Sequence, residues 1–132
     1  MKMTAERIKQ FEKVSGQLEA FHSEIGALSQ KFQNDALNKF KLSLVNQVLI
    51  EANAILGDTY RPFPGFQSFD ADQLPSNSDV VLVIAQYIQC MENLRVENIQ
   101  SKVEYSAAGK IDKTYWYWKG TEKETFSPKK IK

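Results

Sequence analysis

The first third of the chain repeats apolar residues at alternating steps of three and four: Phe11, Val14, Leu18, Phe21, Ile25, Leu28 and Phe32. That spacing draws one stripe along an α-helix and runs for three heptads, a coiled-coil-like seam. Thr4 stands where a hydroxyl caps the first turn, and Glu6 suits the positive end of the helix dipole. Gly16 and Gly26 lie off the stripe and cost about 1 kcal/mol each relative to Ala, so this helix needs packing partners.

A second stripe, Leu37, Phe40, Leu44, Val48, Ala52 and Ile55, is flanked by Val45, Leu49 and Leu56. Its arc is wide enough to touch more than one neighbour. Gly57-Asp58 closes it, since Gly supplies the left-handed backbone that ends many helices. Gln33-Asn34-Asp35 is a weak breaker without Gly or Pro, and we read the two helices as separate there. The alternative is one rod from Thr4 to Gly57, roughly 80 Å long at 1.5 Å per residue.

Residues 58–78 hold three of the four prolines together with Tyr60, Phe63, Phe66 and Phe69. A connection this long is either functional or packed on its own side chains. The rings suit a lid over the end of a bundle, or a binding lip on which Arg61 is the one cation. Ser76, with Asp79 three residues later, forms a capping-box start for a third helix. The spacing of Ile84, Tyr87, Ile88, Met91, Leu94, Ile99 and Val103 carries it from about Ser78 to Ala107 or Ala108, with Gly109 as its stop.

The remaining segment departs from helical spacing. Thr114 to Trp118 is rich in β-formers and could pair with Val103 to Ser106 through Ala107-Ala108-Gly109, at the expense of the last helical turns. The favoured reading keeps helix 3 intact and leaves residues 120–132, polar and Lys-rich, frayed. The expected fold is therefore all-α: an antiparallel bundle of three long helices (1–109), a long aromatic loop, and an aromatic, basic C-terminal extension (110–132).

Composition changes this picture little. With 132 residues, 42% of them hydrophobic and 25% charged, the chain fits one folded domain. The net charge of +1 argues against a dominant polyanionic partner such as duplex DNA. Its distribution is uneven: residues 1–109 carry 10 Lys+Arg against 13 Asp+Glu, whereas 110–132 carry 7 Lys against 3 acids. Cys90 is the single cysteine, so no intramolecular disulfide forms and a reducing, cytoplasmic setting is expected. Residues 1–10 are charged and unlike a secretory leader, and the uncharged apolar run Val80–Ala85 is far shorter than a membrane span.

Chemistry is sparse. Glu19 and His22 match the Glu-x-x-His spacing of di-iron bundles, but one histidine cannot complete such a site within a chain. Glu92, Arg95, Glu97 and Lys102 read as a solvated helix face. No phosphate loop, nucleophile elbow or Cys-His pairing stands out, so no catalytic residue, metal site or cofactor is expected. What remains is Tyr115-Trp116-Tyr117-Trp118-Lys119, whose alternate rings must face opposite ways if the segment is extended. We expect a non-enzymatic, oligomeric interaction module that binds another protein or itself, through the bundle surface or this aromatic segment. The binding candidates are Tyr115, Trp116, Tyr117, Trp118 and Lys119, with Arg61, Phe63 and Phe66 on the loop. The alternative is a nucleotide or single-stranded nucleic-acid binder that stacks bases on Tyr115 to Trp118 and holds phosphates with Lys110, Lys113 and Lys119.

Overall fold

The computed structural model describes residues 3–130, so residues 1 and 2 of the N-terminal reading and the last two of the tail lie outside the described residues. Three helices are followed by a small antiparallel sheet: α1 (Ala5–Phe32), α2 (Lys39–Tyr60), α3 (Asn77–Glu97), β1 (Ile99–Tyr105), β2 (Ile111–Trp118) and β3 (Glu124–Thr125). Thr4 caps α1 by accepting from the Arg7 N–H at 3.2 Å. Ile8, Phe11, Val14, Leu18 and Ile25 form its buried stripe.

The chain turns between α1 and α2, as read from Gln33-Asn34-Asp35, and that turn is stitched to the start of α3. The Asn77 side chain donates to the Phe32 carbonyl at 3.0 Å, and its backbone N–H donates to the Asp35 carbonyl at 2.9 Å. Leu37 N–H donates to the Pro75 carbonyl at 2.9 Å. With Ser78 N–H donating to the Gln33 carbonyl at 3.1 Å, the last carbonyls of α1 gain partners from the start of α3, and the other two bonds tie the turn to it. In α2, Gly57 (φ 62°, ψ −170°) breaks the regular geometry, and one more turn carries the helix to Tyr60. A side chain at 57 would be strained in that conformation. Ser76 caps α3, accepting from the Asp79 N–H at 3.2 Å.

The all-α expectation is overturned by the sheet, which makes the fold mixed α/β. Helix 3 ends at Glu97, not near Ala108. Asn98 stops it: its side chain donates to the Leu94 carbonyl at 2.7 Å while its backbone N–H donates to the Arg95 carbonyl at 2.9 Å. The chain then leaves as β1, whose Ile99, Val103 and Tyr105 are residue types that favour strands. The hairpin with β2 runs from Ile99 opposite Trp118 to Tyr105 opposite Ile111, so its pairing crosses residue 109. Between Glu104–Lys113 and Tyr105–Ile111 the register slips, leaving Asp112 without a cross-strand partner in a β-bulge.

One core joins the layers. Ile8, Phe11, Val14 and Leu18 of α1, Leu42, Leu49 and Leu56 of α2, and Val80, Ile84, Tyr87 and Leu94 of α3 are buried together with Ile99 and Trp118. Trp118 meets Phe11 edge to face at 5.1 Å between centroids and 75° between planes. A pair in that geometry is worth about 0.5–1.5 kcal/mol beyond its burial, and it fastens the sheet to α1.

Candidate interaction surfaces

The aromatic loop is held to the bundle by two asparagines of α2 set seven residues apart. Asn46 bonds the Phe69 backbone both ways, donating to its carbonyl and accepting from its N–H, each at 2.9 Å. Buried Asn53 donates to the Phe66 and Gln67 carbonyls at 3.3 and 3.1 Å and accepts from the Tyr87 hydroxyl at 2.7 Å. Burial pushes the Tyr87 phenol up from its ordinary range, against the Asn53 hydrogen bond and the Arg61 charge that pull it down. Phe66 contacts Phe63 at 6.1 Å, Phe69 at 5.4 Å and Tyr87 at 6.5 Å. Phe63 and Phe66 therefore pack against the core as a lid. Arg61 is mostly covered, lies 3.6 Å from Asp58, and its Nε–H finds no hydrogen-bond partner among the described residues.

The aromatic run divides by strand alternation. Trp118 is buried and Trp116 packs on the core, so the inner face of β2 is the even-numbered one. Tyr115 and Tyr117 stand on the outer face opposite Lys102 and Gln100, with Glu104 opposite Lys113, and with Glu124 of β3 opposite Tyr117. The Lys113 ammonium sits 4.4 Å from the Tyr115 ring centroid. A hydrogen bond to Glu104, reinforced by that carboxylate's charge, pushes the Tyr115 phenol up from its ordinary range. Lys119 is turned back, its ammonium donating to the Glu97 carbonyl at 3.1 Å. This outer face thus brings together Tyr115, Tyr117, Lys102 and Lys113 with two balancing acids.

Away from Ile99 and Trp118 the hairpin is an arm. Gln100, Ser101, Lys102, Glu104 and Tyr105 of β1 and Ile111 to Thr114 of β2 are all exposed, whichever face they occupy. At its tip Tyr105 is 65% and Ile111 66% exposed. Only the base of the arm gains a third strand, since β3 pairs with Trp116 and Tyr117. β1 is the outer strand of the sheet, and among the described residues its far edge pairs with nothing.

Glu92 and Arg95 are not the solvated pair expected from sequence; they are 8% and 5% exposed. Arg95 Nε and Nη2 donate to the two Glu92 carboxylate oxygens at 2.7 Å each. Its other donors reach the C-terminal segment: Nη1 to Thr125 Oγ1 at 3.1 Å and the Phe126 carbonyl at 2.6 Å, and Nη2 to the Ser127 carbonyl at 2.8 Å. Lys129 N–H closes the ring on Glu92 Oε2 at 2.7 Å. All five guanidinium N–H groups are spent, so the pair is a clasp that fixes the segment expected to fray. Burial alone would raise the Glu92 carboxyl, but the Arg95 and Lys129 hydrogen bonds and charges outweigh it and hold it below the ordinary carboxylate range.

Between this segment and α1 lies a groove of about 490 Å³, floored by Phe11, Met91 and Trp118. Two ion pairs cross from α1 to the tail, Glu12–Lys123 at 3.7 Å and Glu19–Lys129 at 3.9 Å. Glu19, the carboxylate of the Glu-x-x-His pattern, is therefore engaged with Lys129. Among the described residues no group of three or more His, Cys, Asp and Glu is placed to hold a metal ion, and no helix is long and apolar enough to cross a membrane. No protein-family model, curated protein or solved structure matches the chain.

Proposed function

We propose that this protein is a non-enzymatic, oligomeric interaction module of the cytoplasm whose contact element is the β1–β2 arm. The observation that carries this reading is an apolar-tipped hairpin exposed on both faces. A two-stranded ribbon is marginal in water by itself, and an open strand edge is a template for further pairing. Tyr115, Trp116, Tyr117, Trp118 and Lys119 form the root of the arm, Trp118 anchoring it and Tyr117 lying on its outer surface. The cytoplasmic setting rests on the single free thiol, Cys90.

Replacing the tip residues tests the reading, because Tyr105 and Ile111 are exposed and Y105S/I111S leaves the core untouched. Capture from the native cell with wild-type chain should retain a protein, either a different one or an untagged copy, that the double variant loses. Recovery of the same set by both would defeat the proposal.

A second reading has one observation in its favour. Tyr115 and Tyr117 lie on one face beside Lys102 and Lys113, a small stacking platform for single-stranded nucleic acid. Glu104 and Glu124 neutralise that face, so a polyanion gains little from charge. Titrating the protein into a fluorescently labelled oligonucleotide at low salt should leave the label's anisotropy unchanged if the first reading holds; a salt-sensitive rise would favour the second.

A further inference from the structure

We infer that the open edge of β1 pairs with β1 of a second copy of this chain, antiparallel about a two-fold axis through Val103. This inference rests on the interaction-module reading and names its partner. Lys119 N–H donates to the Asn98 carbonyl at 2.9 Å, so the backbone of residue 98 turns toward β2. Backbone groups alternate along a strand. Those of Gln100, Lys102 and Glu104 therefore also turn toward β2, and those of Ser101 and Val103 point away into solvent. With Val103 facing its own copy, the two valines exchange a pair of N–H···O=C bonds, and Ser101 of each chain lies opposite Tyr105 of the other.

Charge then selects this register. Lys102 and Glu104 share the outer face of β1, as their partners Tyr115 and Lys113 require. Pairing centred on Val103 sets Lys102 of each chain opposite Glu104 of the other, giving two symmetric ion pairs at close cross-strand spacing. Centring one residue earlier would oppose Lys102 to Lys102, and one residue later Glu104 to Glu104. Charged residues on an edge strand usually repel further strands; here their order repels the registers one residue to either side and gives only the register centred on Val103 two ion pairs. On the inner face the same pairing gathers Val103 and Tyr105 of both copies into one apolar patch.

This pairing sets the two bundles apart along the ribbon. Ile99, where the arm meets the core, would lie opposite residue 107 of the second chain. The two arm bases are then about 26 Å apart, eight residues at about 3.3 Å each. A contact of this size makes a weak, reversible dimer rather than an obligate one.

Sedimentation velocity on the full chain over a wide concentration range tests the inference. Wild type should move from monomer to dimer as concentration rises. V103P removes an N–H that points away from β2, so the hairpin keeps its own ladder, while association weakens about tenfold or more. K102E and E104K should each be monomeric alone, yet a mixture of the two should dimerise, because each chain then meets opposite charge at both positions. That rescue cannot come from a misfolded variant. A wild type that stays monomeric at every concentration, or a V103P chain that dimerises as well as wild type, would overturn the inference. A monomeric wild type whose tip variant still loses a different protein on capture would leave the interaction reading standing without its oligomeric part.

Discussion

Arg95 grips Glu92 through two parallel hydrogen bonds of 2.7 Å, and its remaining N–H groups all end on residues more than 29 positions away in sequence. The pair is intrahelical at i and i+3, but its task is long-range: it ties residues 125–129 across the side of α3.

Breaking one half of such a pair strands a buried charge. R95A should lower stability by about 3–5 kcal/mol, whereas the apolar double variant E92L/R95M should lie closer to wild type than either single change. Urea denaturation of R95A, the double variant and its two single changes measures this. In all of them the tail should become more sensitive to limited proteolysis, and equal losses for single and double variants would contradict the clasp.

The same carboxylate sets a pH dependence. Because the folded state holds Glu92 below its unfolded value of about 4.3, its contribution is fully present above that value and is lost as pH falls through the depressed folded one. Thermal melting should thus be insensitive to this group near neutrality and fall below about pH 4. In E92Q that acid-side loss should be smaller, with proteolysis at the tail as the local readout.

Asn53 is the hinge pin of the aromatic lid. Y87F leaves the Asn53 carbonyl oxygen buried without its donor and should cost about 1–3 kcal/mol. N53A should cost more, since it also releases the Phe66 and Gln67 carbonyls. Hydrogen exchange should show faster opening of residues 61–70 in N53A than in wild type, and identical exchange would refute the pinning role.

The helices were legible because apolar spacing reports burial, and α1, α2 and the start of α3 are packed on the core. The arm was not, for the same reason: from Gln100 to Thr114 little is buried, so only Val103 and Tyr105 mark a two-residue period there. Ile99 and Val103 fell four apart and mimicked another helical turn, although the five-residue step from Leu94 to Ile99 already breaks the stripe. Glu92 and Arg95 look like any surface pair at that spacing. What distinguishes them is contact with Phe126, Ser127 and Lys129, which no local window contains. Asn46 and Asn53 gave a fainter sign, two amides seven apart and so on the same side of the helix. Separation of Tyr115 and Tyr117 from Trp116 and Trp118 did follow from alternation alone.

The bulge at Asp112 bears on how this protein behaves when concentrated for storage. Once β1 is occupied, the stretch of β2 from Ile111 to Tyr115 is still a bare growth front, because β3 shields only Trp116 and Tyr117. An extra residue there bends and twists the ribbon so that a third chain cannot lie flat along it. Deleting Asp112 would straighten that margin, and such a chain should seed fibrils, visible as dye-binding turbidity, in solutions where the natural sequence stays clear.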